Sequence, residues 1–251
     1  MKKNLFIMLA VLFAVTIASC KKSADAPAEL QSVTAVTDPA KKVYNYIIGL
    51  GFPAHTIVDQ PGEYIVEGDI RFPKDMVVPN GASTEQYYTG SLVSAANVAN
   101  LRLYVDASMT SMISEINSAI GQWNAVANCN VNWVVVTSGT YDVLITNYNL
   151  GNGVCGQGTF PSGGKAGNLI RINKNYIAGN SFAQRARTIC HELGHNVSLR
   201  HTNWAAIGES SAIAVPGVGG TDASSLMNGG QCGSGATTLS TNDKNAIAAL
   251  Y

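Results

Sequence analysis

Apolar and polar positions along this chain recur with two different periods, and the changes of period mark its elements. Between Lys41 and Gly51, Val43, Tyr46, Ile47 and Leu50 share one side of a short predicted helix. Tyr64 to Phe72 reads as a strand. From Pro73 to about Asn100, Pro, Gly, Ser and Thr punctuate a stretch with little pattern, as in a linker. Leu101 to Val105 alternates with the period of a strand. Ile113, Ile116, Ile120, Trp123 and Ala127 then recur three and four residues apart, predicting an amphipathic helix. Val131 to Val136 and Tyr141 to Asn147 read as two strands, Gly151 to Gly167 as a glycine-rich loop, and Asn168 to Tyr176 as a further strand.

A second long helix follows. Ser181 and Gln184 fit the S-x-x-Q capping box, which satisfies two backbone N–H groups at a helix start. Phe182, Ala186, Ile189, Leu193 and Val197 form its apolar stripe, while His191 and His195 lie on nearly the opposite side. One face can therefore pack on a sheet while the other meets a cleft. A long Gly, Ser and Ala loop runs from Ala205 to Ser224, and Ser240 or Thr241 can cap a last helix carrying Ile247 and Leu250.

The two ends of the chain differ in kind. Lys2 and Lys3 precede a short apolar stretch, Leu5 to Ile17, too short to span a bilayer comfortably. It ends in Ile17-Ala18-Ser19-Cys20, which resembles the signal of a lipoprotein acylated on Cys20; an ordinary signal peptide with an incidental cysteine is the competing reading. The expected organisation is a signal peptide over 1–19, a flexible tether rich in Ala, Ser, Thr, Pro and Asp over 20–40, a small N-terminal unit over 41–98 and a main domain over 99–251. Such a chain would be exported and held at the cell envelope by its lipid alone, as a monomer. Charged residues are 13% and formal net charge is zero, so no basic patch invites nucleic acid. Cys129, Cys155, Cys190 and Cys232 predict two disulfides in one of three connectivities, with buried free thiols as the alternative.

The chemistry concentrates in His191-Glu192-Leu193-Gly194-His195 and His201, which hold three of the four histidines; the fourth, His55, reads as a surface residue. Two imidazoles one helical turn apart can grip one zinc ion at roughly 2.0–2.1 Å. Glu192, next to the first of them, flanks the metal without having to ligate it, where a base for water belongs. A continuing helix would carry His201 away, so the helix must stop near Val197 or Ser198 and turn back.

These residues resemble the metzincins, which share H-E-x-x-H-x-x-G-x-x-H and a later methionine turn, matched here by Ser225-Leu226-Met227-Asn228. Among them the nearest resemblance is to the bacterial dual-action HEIGH metallopeptidases. It implies an α+β fold, with a twisted mixed sheet packed on two long helices and a loop-rich C-terminal subdomain. It also implies a zinc endopeptidase acting on proteins or peptides, with Glu192 as general base and Met227 beneath the metal as a non-ligand. Substrate would pair with an exposed edge strand, for which Asn168 to Asn173 is the candidate. Two departures stand out. The family glycine is Ser198, which must adopt positive φ at a cost of about 1–2 kcal/mol. No tyrosine follows Met227 to act as a further ligand. Upstream, Val66-Glu67-Gly68-Asp69-Ile70 resembles the astacin pro-segment, in which an aspartate occupies the zinc; the plainer reading, a strand ending in a Gly-Asp turn, has the edge. The competing function is a non-catalytic envelope lipoprotein that binds protein or glycan and keeps zinc for structure. Such a site needs a fourth protein ligand and has no use for Glu192.

Overall fold

The computed structural model describes residues 38–49, 52, 54–78, 88–209, 212–218 and 222–251. The signal segment, the Cys20 motif and nearly all of the tether lie outside them, as does Leu50. In chain order the elements are α1 (Pro39–Gly49), β1 (Ile57–Gln60), β2 (Glu63–Val66), β3 (Ile70–Pro73), α2 (Ala95–Val98), β4 (Leu101–Val105), α3 (Ile113–Asn124), β5 (Trp133–Val136), β6 (Val143–Asn147), β7 (Gly156–Thr159), β8 (Leu169–Ile172), α4 (Phe182–Asn196) and α5 (Thr241–Leu250).

The strands form one mixed sheet in the order β1-β2-β3-β7-β8-β6-β4-β5. The alternation in β4 and β6 resolves as expected. Leu101, Leu103, Val143 and Ile145 are buried, and with Ile170 and Ile172 they meet Ile116, Ile120 and Trp123 of α3 and Ile189 and Leu193 of α4 in one core. Trp123 donates its indole N–H to the Cys190 carbonyl at 3.0 Å, which locks the two long helices together at their buried faces. A second cluster joins Val43 and Ile47 of α1 to Tyr64, Val66, Ile70 and Phe72, and also to Phe160 just beyond β7.

Several expectations change. The strand read over Tyr64 to Phe72 is a hairpin. Glu67 and Gly68 both have positive φ, 56° and 89°, so the chain reverses between β2 and β3. Ser181 caps α4 by accepting from the Gln184 N–H, but the Gln184 side chain donates to the Gly235 carbonyl, so only half of the expected box forms. The full reciprocal box is at α5, between Ser240 and Asp243. Among the described residues the two expected disulfides reduce to one, Cys155–Cys232. Cys190 is buried in the core and Cys129 sits beside α5 with its thiol on the Ile247 carbonyl, so neither faces a partner.

The candidate substrate edge also moves. The stretch Asn168 to Asn173 contains β8, which is interior, flanked by β6 and β7. The strand that the pattern missed is β7, hidden within the glycine-rich loop. Its glycines carry no side chain to alternate, and they are there because α4 passes close by. A Cβ at Gly156 would lie 2.5 Å from Glu192 Oε1, and one at Gly158 would lie 3.0 Å from His195 Cβ. The outer edge of β7 is taken by β3, which pairs in parallel through Ile70–Gly158 and Arg71–Thr159.

Candidate metal centre

Helix α4 sets the first two imidazoles. His191 and His195 stand one turn apart with ring centroids at 4.7 Å. The third depends on how α4 ends. Ser198 N–H bonds to the His195 carbonyl and Leu199 N–H to the Gly194 carbonyl, both at 3.0 Å, and Ser198 has φ 84°. This is a Schellman ending with serine in the place usually given to glycine. It reverses the chain so that His201 returns to the helix, with its ring centroid 5.0 Å from both of the others. Thr89 secures the turn: its hydroxyl lies 2.8 Å from Ser198 Oγ, and its N–H donates to the Ser198 carbonyl at 3.1 Å.

Each ring is oriented from its outer nitrogen. Nδ1 of His191 lies 3.1 Å from the Leu226 carbonyl, Nδ1 of His195 lies 2.7 Å from the Leu199 carbonyl, and Nδ1 of His201 lies 2.6 Å from Glu209. These acceptors hold the proton on Nδ1 and turn the Nε2 lone pairs inward. Nε2 of His191 and His201 are 3.1 Å apart, and Nε2 of the fully buried His195 has no hydrogen-bond partner. Facing lone pairs at that distance repel unless a cation lies between them. Two nitrogens bound to one tetrahedral metal stand roughly 3.3 Å apart, so the cluster fits zinc.

Asp69 completes the group. Its Oδ2 lies 2.9 Å from His201 Nε2 and 3.8 Å from His191 Nε2, and the four side chains form one cluster able to hold a metal. Burial opposes its charge, but when His201 is protonated on Nε2 as well, that charge and the hydrogen bonds from the two rings hold its carboxyl well below the usual range; a cation between the lone pairs would take the place of that proton. Asp69 ends the tight turn between β2 and β3 and also lies within the histidine cluster. Its backbone is tied to β7, where the Gly158 N–H donates to the Asp69 carbonyl at 3.1 Å.

Glu192 is buried beside the cluster, and its Oε2 has no hydrogen-bond partner. Burial, reinforced by the Asp69 charge, lifts its carboxyl well above the carboxylate range. Met227 lies against the helix between the first two histidines, since a Cβ on Gly194 would sit 2.5 Å from its Sδ. The turn around it is fixed by Asp243, which accepts from Ser225 Oγ and the Leu226 N–H. His55 is exposed and remote from the cluster, as expected.

Pattern reading missed four contributors. Glu209 is the one charged residue between Ala205 and Thr221, which was the available signal. Arg187 lies one turn before His191, on the face that carries the ligands, and donates to the carbonyls of Leu226 and Asn228. Gly156 and Gly158 give room for Glu192 and His195, and the sequence carries no sign of which loop glycines face a helix.

The model of the dual-action HEIGH metallopeptidase family matches residues 66–251. Among solved structures, two of myroilysin are similar. One has TM-score 0.42 and 16% identity, covering 68% of this chain and 92% of that one. The other has TM-score 0.45 and 16% identity, covering 62% and 93%. The hatching-enzyme zinc protease HCE-1 of the medaka fish Oryzias latipes has TM-score 0.43 and 13% identity, covering 64% and 93%. No curated protein matches the chain.

Proposed function

The chain belongs to the dual-action HEIGH metallopeptidase family, and from that premise we propose that this zinc peptidase is an endopeptidase, with His191, His195 and His201 as ligands and Glu192 as general base. The carrying observation is the convergence of three outwardly anchored imidazoles beside a buried carboxylate with one unpartnered oxygen. Zinc held there supplies Lewis-acid polarisation of a peptide carbonyl and of a water. Glu192 takes the proton from the attacking water and returns it to the leaving amine nitrogen. Strand β7 orients an extended peptide through its backbone once its edge is open. Met227 closes the floor under α4, and Leu226, Leu199 and Glu209 keep the rings in register.

The chain as folded is latent in this reading. Asp69 stands where substrate oxygen and water would enter, and β3 covers the β7 edge. Residues 41–98 then act as an inhibitory pro-region. Export and acylation of Cys20, supported by the N-terminal pattern, would place the enzyme at the envelope surface.

The test uses the full-length, zinc-loaded chain on a quenched peptide mixture. Asp69→Ala raises cleavage at least about tenfold over the parent, and adding Glu192→Gln removes it with zinc content kept. Wild-type cleavage by the Glu192→Gln variant refutes the base, and unchanged activity in Asp69→Ala refutes latency. Zinc that needs no open position, in a chain that cleaves nothing under any of these conditions, is the outcome of the non-catalytic lipoprotein.

A further inference from the structure

A cavity of about 160 Å³ opens beside Glu192 and His191, at the Gly156 end of β7. Its lining includes the Cys155–Cys232 disulfide and residues 228–231, Arg187 and Thr188 of α4, and Glu67 to Asp69. The disulfide ties the approach to β7 to the loop after Met227.

Arg187 is the unusual member of this lining. The residue is only 4% exposed. Its Nη2 donates to the Leu226 and Asn228 carbonyls and to Gln231 Oε1, all neutral acceptors, while its Nε has no partner. No ion pair to it exists among the described residues, and its charge is answered only at longer range, first by Glu192. A buried cation without a paired anion is costly to keep, so it commonly marks a place where an anion is received. Glu192 is committed to the water, and Asp69 belongs to a segment that leaves when the site opens.

Direction follows from β7. Its Gly158 end lies over His195 and its Gly156 end over Glu192 and the cavity. A peptide paired antiparallel to β7 enters with its N-terminal side at the Phe160 end. Residues beyond the cleaved bond then pass over the cavity. We propose that this cavity is a carboxylate-binding subsite, in which Arg187 receives the aspartate or glutamate side chain of the substrate residue that directly follows the cleaved bond. The inference rests on the peptidase reading for its orientation but not for the binding itself. Disulfide and loop residues supply shape, and Arg187 supplies the preference for a negative charge over its neutral isostere.

The experiment separates the two. Fluorescein-labelled hexapeptides Ala-Ala-Ala-Xaa-Ala-Ala, with Xaa as Glu, Gln or Leu, are titrated by anisotropy into the full-length zinc-loaded chain carrying Asp69→Ala and Glu192→Gln, with Ile70→Asp added to break the packing that holds β3 on the β7 edge. Cleavage of the same peptides is read in the chain carrying Asp69→Ala and Ile70→Asp. The Glu peptide binds about tenfold to a hundredfold tighter than the Gln peptide, as expected for a charge-assisted contact to a buried guanidinium. Arg187→Gln cuts that ratio to about threefold or less, and Arg187→Lys retains part of it. A role for Arg187 solely in holding the Met227 turn would lower all three affinities together and leave the ratio alone. A Glu-to-Gln ratio near one in the parent, or a ratio that survives Arg187→Gln, overturns the subsite. A clear ratio in binding with no cleavage of any peptide sustains the subsite and sinks the peptidase reading instead.

Discussion

Ser198 gives the sharpest test of the metal centre, because the return of His201 passes through it. The residue is fully buried and holds φ 84° at the end of α4. Left-handed backbone costs a residue with Cβ about 1–2 kcal/mol. Its hydroxyl gains a bond at 2.8 Å to Thr89, worth about 0.5–1.5 kcal/mol net. Ser198→Gly removes both, and loosens the unfolded chain by about 0.4–1 kcal/mol. The gain and the two losses nearly cancel, so stability changes by less than about 1 kcal/mol. Ser198→Ala keeps the strain and loses only the bond. Thr89 is not orphaned, because its hydroxyl also donates to the Ser91 carbonyl. The alanine variant therefore falls below both serine and glycine by about 1 kcal/mol. For a domain of this size that is a Tm lower by roughly 2–4 °C. Thermal unfolding followed by circular dichroism reads the order, and a chromophoric chelator reads zinc affinity alongside it. An alanine variant as stable as the parent would refute the bond's contribution. A glycine variant more stable by several kcal/mol would show that the turn is far more strained than its hydrogen bonds offset.

Two further outcomes follow from the surroundings of the site. Glu209→Ala leaves His201 Nδ1 without its acceptor at 2.6 Å, and zinc affinity falls about tenfold to a hundredfold in chelator competition; an unchanged affinity shows that His201 is held by the Ser198 turn alone. Glu63 anchors the N-terminal hairpin by pairing with both Arg71 and Arg171. Burial opposes its charge, but the bonds from Arg171 and Arg71 prevail and its carboxyl is held below the ordinary range. Its contribution is therefore complete above the unfolded pKa of about 4.3 and is lost as pH falls through the lower folded value. Hydrogen-exchange protection of residues 57–73 should drop across that acidic window in the parent, and Glu63→Gln should show low protection with no such step. A step of equal size in both chains would remove Glu63 from the account.

Much of this molecule is legible from short-range pattern. The apolar stripes of α3 and α4 and the alternation in β4 and β6 are local properties, and the helical pair His191 and His195 is fixed by 3.6 residues per turn. That α4 must stop near Val197 or Ser198 and turn back also follows from the sequence, since a continuing helix would carry His201 away. The rest depended on tertiary contact. Strand β7 is invisible because its glycines have no side chains to show a period, and their reason lies in α4. Cys190 reads as a disulfide candidate until the core claims it. Whether Asp69 meets the histidines is decided by the β3–β7 pairing, which joins segments nearly ninety positions apart. Glu209 and Arg187 each carry a charge whose meaning depends on what it faces. Sequence alone determined the helix geometry that builds the ligand pair, because residues four apart on a helix can only lie together. Only the folded chain decided what covers that pair, which carboxylate orients the third ring and where a substrate strand would lie, because those contacts come from segments far apart in the sequence.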